Sequence, residues 1–153
     1  MDDVEQPGDL ATIATSIVDD NRFMTLATAD ADGSPWASPV WYAPSAYRHF
    51  YWVSSPDARH SRNIAVRPEV AIVIFDSHRP GGWTAVYLSA LAEQLDDVDE
   101  AVAIFSERSR AHGFPAWTRE DVLPPARHRL YRATASERFV LDPHDRRLPV
   151  TFD

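Results

Sequence analysis

The chain contains no cysteine and no lysine. Without cysteine there is no disulfide framework, thiolate zinc site, iron–sulfur cluster or thiol nucleophile. Without lysine, all 15 basic residues are arginine. Codon usage alone can produce that bias, although arginine's rigid fork also suits phosphate better than a point charge does. Positive charge is scarce overall: the 23 acids leave a net charge of −8 and a pI near 5.1. That balance argues against a surface-wide electrostatic grip on nucleic acid. No run approaches the length of about 18 apolar residues that reads as a membrane span. The first eight residues, acidic and polar, are unlike a signal peptide. The expectation is a cytoplasmic protein with neither nucleic acid nor membrane as partner.

Glycine is sparse too, five in 153 residues, and no Gly-rich phosphate loop of either nucleotide-binding kind is present. There is no nucleophile elbow. The histidines His49, His60, His78, His112, His128 and His144 never pair at metal spacing on one helix. The acidic run at 96–100 falls at a helix start, where acids answer the macrodipole. No metal site is expected. What is present is ordinary globular composition, 44% apolar and 25% charged, in a length that suits one domain and buries roughly 70% of its unfolded surface. A single domain over residues 1–153 is therefore expected, with flexible tails at 1–8 and 143–153.

Periodicity supplies the architecture. Leu10, Ile13, Ala14 and Ile17 recur at helical spacing within 9–20. Residues 22–28 and 36–42 read as two arms of a hairpin around Gly33, with Pro39 requiring an edge, a bulge or an unpaired N–H. After a turn at 45–48, residues 49–54 form a third strand. Ser55-Pro56-Asp57 reads as a helix start, with the helix running to about Arg67 before Pro68. The apolar run 70–75 suits a strand buried on both faces, and 84–95 a long strand after a Pro80-Gly81-Gly82 loop. The longest helix spans 96–112 on a stripe of Val98, Ala101, Val102, Phe105 and Ser109, closed by Gly113. A proline-rich loop with one helical turn follows, and 129–133 with 138–141 closes as a hairpin. The fold class is mostly β (α+β): a six- to seven-stranded, mainly antiparallel split barrel with helices on its rim. One crossover, 49–75, is long enough to join a parallel pair.

Two features carry chemistry. Behind Ser55-Pro56-Asp57 come Arg59, His60 and Arg62. A helix N-terminus already favours an anion, and guanidinium and imidazole donors there make a phosphate site. The same residues also suit a solvated helix face, at an electrostatic cost of a few tenths of a kcal/mol. The second feature is aromatic: Trp36, Trp41, Tyr42, Tyr51, Trp52, Trp83 and Tyr87 lie on or beside strands. Alternation sends the neighbours Trp41/Tyr42 and Tyr51/Trp52 to opposite faces, so both faces need cover. A planar ligand or a second subunit supplies it.

The segments RFMTLATADADGSPWASPVWY from Arg22, FYWVSS from Phe50, DARHSRNIAVRPEVA from Asp57 and VYLSALAE from Val86 together resemble the pyridoxamine 5′-phosphate oxidase-like family of FMN-binding split β-barrels. The resemblance covers residues 20–110 well and 127–141 more loosely. It implies a homodimer with two FMN sites at the subunit interface, acting as an oxidoreductase on a small-molecule substrate. It implies that Arg59 and His60 hold the flavin phosphate, the second position being lysine in most of the family. Ser38, Pro39, Val40, Trp41 and Tyr42 would line the isoalloxazine ring, with Val53 and Ser54 closing the third strand. Thr84 marks the long-strand position where the family often carries a glutamine that this chain lacks. The arginine motif that holds pyridoxal phosphate in true oxidases is absent as such, with Arg146-Arg147-Leu148-Pro149 a faint echo. These departures point away from oxidation of pyridoxamine phosphate itself. Because the flavin performs the redox chemistry, no catalytic side chain is assigned. Two alternatives stand beside FMN. One is a reductase using the deazaflavin coenzyme, whose longer acidic tail needs a wider basic groove that Arg62 and Arg67 would extend. The other is a flavin-, haem- or small-ligand-binding module without turnover.

Overall fold

The computed structural model describes residues 7–78 and 85–152, with side chains from Leu10 onward. The Pro80-Gly81-Gly82 loop, Trp83 and Thr84 lie outside the described residues. Helix α1 (Pro7–Asp20) packs Ala14, Ile17 and Val18 into the core with no exposure. Strands β1 (Phe23–Ala29) and β2 (Pro35–Trp41) pair over seven residues, from Phe23↔Trp41 to Ala29↔Pro35. Their turn is built as its sequence demands. Asp30 Oδ1 accepts from the N–H groups of Asp32 and Ser34, both at 2.9 Å, and Gly33 takes a φ of +85°.

Strand β3 (Ala43–Ser45) follows after one residue, and β4 (His49–Ser54) pairs back on it. Ala46 and Tyr47 form the connecting turn, both at φ 51°. The Tyr47 hydroxyl donates to Asp19 Oδ2 at 2.7 Å and its ring stacks on Phe152, which holds a conformation these residue types seldom adopt. Then come α2 (Arg59–Val66), β5 (Glu69–Phe75), β6 (Ala85–Gln94), α3 (Asp99–Ala111), a 3₁₀ turn (Arg119–Asp121), β7 (Arg129–Leu141) and β8 (Arg147–Pro149).

Every pairing is antiparallel, in the order β2-β1-β5-β6-β7-β4-β3, with β8 added to β7. The 49–75 crossover therefore joins no parallel pair, since β4 and β5 are not neighbours. β2 and β3 stand at opposite ends of this order yet are separated in the chain by Tyr42 alone. Only a sheet curled into a barrel can satisfy both positions. Tyr42 is the corner: fully buried, its N–H donates to Arg22 O at 3.2 Å and its hydroxyl to Val18 O at 2.5 Å. The barrel interior holds Met24, Leu26, Val40, Phe50, Trp52, Ile72, Ile74, Val86, Leu88 and Tyr131. A second cluster packs α3 through Val98, Ala101, Val102 and Phe105 against Ala43, Tyr51 and Leu130.

Four further sequence expectations change. The 70–75 run is not covered on both faces: Val70, Ile72 and Ile74 are buried, whereas Ala71 and Phe75 are exposed, because an antiparallel sheet gives one face to the core and frees the other. Residues 129–141 form one strand rather than a hairpin. The polar stretch read as a turn is a β-bulge with Ser136 as the extra residue opposite Ser89 and Ala90. Residues 143–152 are not a free tail: β8 pairs with β7, Val150 is buried, and Asp142 accepts from the N–H groups of His144 and Arg146. Finally, Ser55-Pro56-Asp57 is a turn ahead of α2 and does not cap it. Ser55 Oγ accepts from Asp57 N at 3.1 Å and Ser55 O from Ala58 N at 3.2 Å, which uses the serine locally and moves the helix start to Arg59.

Candidate functional site

The first turn of α2 is bare of its own caps. Ala58 occupies the N-cap without a side-chain hydrogen bond, and no acid lies in the first turn. The opening N–H groups of the helix are thus left for another acceptor. The helix is anchored from beneath by Ile64, which is buried, and by Asn63, whose Nδ2 donates to Thr28 Oγ1 on β1 at 3.0 Å. Its other face carries Arg59 and Arg62 into solvent.

Around that turn the donors converge. The Arg59 guanidinium lies 4.3 Å above the Trp36 ring of β2, a cation–π contact that holds it beside the helix start. His60 Nε2 and Ser54 Oγ, at the end of β4, share a hydrogen bond of 2.8 Å. Burial lowers the His60 pKa below its ordinary value of 6.5, so the imidazole is neutral at pH 7. Ser61 Oγ is buried beside the Tyr131 hydroxyl. Guanidinium, imidazole, hydroxyls and free backbone N–H groups form a donor set that fits a phosphate dianion.

The sequence-selected residues divide among four places. Ser54, Arg59 and His60 come together here, and Ser38 shares the β2 face of Trp36, two residues away. Trp41 and Val53 meet elsewhere, in a cleft of about 520 Å³ beneath α3, with Trp41 edge-on to Phe105 at 5.0 Å. Val40 and Tyr42 belong to the barrel core, where their side chains are used in packing. Pro39 is exposed on the far side of edge strand β2, beside Phe23 and Phe75. Thr84 lies outside the described residues.

Trp36 as the partner of Arg59 is not readable from the sequence, because 23 positions separate them and only the packing of α2 on β2 joins them. Among the described residues no three histidine, aspartate or glutamate side chains gather to hold a metal ion, and no helix is long and apolar enough to cross a membrane. The acidic run supplies Asp99 and Glu100 to the first turn of α3, and Asp99 stands 3.8 Å from Arg119.

Outside the site, the outward side of β1, β5 and β6 carries several apolar side chains that no described residue buries. Phe23, Phe75 and Leu91 are more than half exposed there, with Ala71 and Val73 between them.

Comparison with known proteins agrees with this architecture. A pyridoxine/pyridoxamine 5′-phosphate oxidase of Xanthomonas oryzae pv. oryzae is 33% identical over 95 residues, covering 61% of this chain and 47% of its own. This chain spans about half the length of the curated relatives it matches. The structure of a heme binding protein from Mycobacterium smegmatis superposes with a TM-score of 0.70 at 22% identity, over 92% of this chain and 57% of that one. That of a FAD-binding protein from Mesorhizobium loti gives 0.60 at 22% identity, over 84% and 89%. These structural likenesses establish the shared fold. The family model for pyridoxamine 5′-phosphate oxidase matches residues 13–141, nearly the whole barrel, and the chain therefore belongs to that family.

Proposed function

We propose that this chain is an FMN-dependent oxidoreductase that works as a homodimer on a small-molecule substrate. The observation that carries the reading is the uncapped start of α2 with Arg59, His60 and Ser54 around it. A flavin phosphate there would accept from the opening N–H groups and from the Arg59 guanidinium. The Trp36 ring keeps that guanidinium from folding away into solvent. When bound, the flavin supplies the electron transfer, and the protein's part is binding, orientation and exclusion of water. The Mesorhizobium loti neighbour, described as FAD-binding, supports a flavin, and the Mycobacterium smegmatis neighbour supplies the haem alternative. The absorption spectrum of the purified protein separates them: flavin bands support this reading, and a Soret band in their place overturns it. A colourless protein that takes up the deazaflavin coenzyme and refuses FMN also overturns it.

Assembly follows from the exposed sheet face. Covering Phe23, Val73, Phe75 and Leu91 with a second copy removes them from water. Light scattering at micromolar concentration is expected to give twice the chain's 17.2 kDa. Val73→Asp, which places a charge at the centre of that face, should give a monomer. A wild-type monomer refutes the assembly.

His60 fixes a pH dependence. Its pKa is lowered in the free chain, so the imidazole is neutral above pH 6.5 and protonates only below that value. Bound phosphate would favour the imidazolium and raise the pKa again, so binding takes up protons on the acid side of neutrality. His60→Lys, charged throughout, should bind FMN about fivefold more tightly than wild type at pH 8, a charged donor in place of a neutral one. The gap should narrow toward pH 6. Parallel titrations of the two proteins would remove His60 from the phosphate site.

A further inference from the structure

We propose that the cleft beneath α3 binds an uncharged, planar aromatic molecule and turns phosphate esters away. The cleft of about 520 Å³ is lined by Trp41, Phe105, Phe114 and Trp117, with Val53 on β4 closing one side. Its size falls within the roughly 300–1,000 Å³ of small-molecule sites. Phe105 meets Trp41 at 5.0 Å and Trp117 at 5.8 Å, both edge to face, so the aromatic wall is continuous.

That wall is held in place from behind. Ser106 Oγ donates to Trp117 O at 2.5 Å and accepts from Trp117 N at 2.8 Å, which pins the loop to α3. Gly113, at φ +80°, turns the chain so that Phe114 N donates to Ser109 O at 2.9 Å. Phe114 stands 52% exposed at the mouth, an apolar ring that an occupant would cover. Trp41 Nε1 is buried with no acceptor among the described residues. That donor is shielded from the cleft, so Trp41 offers an occupant ring surface rather than a hydrogen bond.

Charge decides the ligand class. No arginine lines the cleft among the described residues; its polar lining is the His128 imidazole, Ser109 and the Asp121 carboxylate, which accepts from Thr118 N at 2.8 Å. Three arginines nearby are engaged elsewhere. Arg108 donates to Asn21 O at 2.9 Å, and Arg129 to Ala126 O and His128 O at 2.7 Å each. Arg119 faces Asp99. A phosphate ester would meet an aromatic wall, a carboxylate and one imidazole, with no guanidinium to receive it. Trp41 and Val53 also belong to the stretches that the flavin reading places along the ring. The cleft's role as the substrate site rests on that reading, while its capacity to bind an aromatic does not.

The test uses 2-naphthol and 2-naphthyl phosphate, which share a ring system and differ in charge, titrated calorimetrically into FMN-saturated protein. 2-Naphthol should bind at least about tenfold more tightly, for want of any guanidinium to offset desolvation of the phosphate. Phe114→Ala, at an exposed position that leaves the fold intact, should weaken 2-naphthol about fivefold or more. Ala116→Arg, on the exposed rim, should raise the affinity for 2-naphthyl phosphate about tenfold. The proposal is overturned if wild type prefers the phosphate, or if neither variant changes binding. Should the protein bind 2-naphthol without ever taking up FMN, the cleft stands and the flavin reading falls. FMN uptake without 2-naphthol binding overturns the cleft alone.

Discussion

Trp52→Ala is expected to destabilise the chain by roughly 3–5 kcal/mol, the range for removing a fully buried large aromatic. Trp52 has no solvent exposure, and its ring stacks on Tyr131 of β7 at 5.6 Å and 13°. It lies in the barrel interior on β4, opposite Tyr131, where close packing leaves its neighbours little room to fill the space it vacates. Its Nε1 is also buried without a partner, which makes Trp52→Phe the informative companion. The phenylalanine variant loses volume but also loses an unsatisfied donor, so it should fall well short of the alanine loss. Guanidinium denaturation checks both, with the slope watched for loss of two-state behaviour. A loss under about 1 kcal/mol for Trp52→Ala, the size of an average substitution, would mean that the interior is not packed as described.

Arg59→Ala is expected to weaken FMN by about 1.5–3 kcal/mol, roughly ten- to a hundredfold, which is the value of a hydrogen bond to a charged group. Arg59 is exposed and lies over the Trp36 ring, so the substitution should leave the melting temperature nearly unchanged. Riboflavin, which lacks the phosphate, should bind both proteins alike. That comparison separates a phosphate contact from a folding effect: equal losses for the two ligands would show that Arg59 acts through structure. Trp36→Ala provides an intermediate case. It removes the ring that holds the guanidinium without removing the charge, so its loss should be smaller than that of Arg59→Ala and confined to the phosphorylated ligand.

The value of Arg59 depends on a feature the sequence misplaces. Ser55-Pro56-Asp57 has the composition of a helix start, but the Ser55 hydroxyl is spent on Asp57 N inside a turn. The helix then opens at Arg59 with no side-chain cap. Had Ser55 capped the helix, one of its opening N–H groups would already have had an acceptor. Local propensity cannot distinguish the two outcomes, because both satisfy the same serine. The geometry is settled by Asn63 reaching Thr28 and by Ile64 entering the barrel, contacts that fix where the helix sits and hence where it begins.

The sequence by itself determined what depends on neighbours along the chain. The Asp30–Gly33 turn, the β4 strand at 49–54 and the α3 stripe from Val98 to Ser109 follow from turn chemistry and period, and Pro39 limits its strand to an edge, a bulge or an unpaired N–H, of which the structure takes the edge. The conjunction of Arg59 and His60 with a helix start was equally local, and so was the order of segments that marks the family. Tertiary structure decided everything that required one element to meet another. It closed the barrel at Tyr42, ran β7 through a polar stretch as a bulge, and set Arg59 over Trp36. It also divided Trp41 from Tyr42, one into an open cleft and the other into the core. Alternation says only that adjacent strand residues face opposite ways. Which face meets a helix and which meets the barrel interior is fixed by how the sheet curls, and pairings between distant strands set that curl.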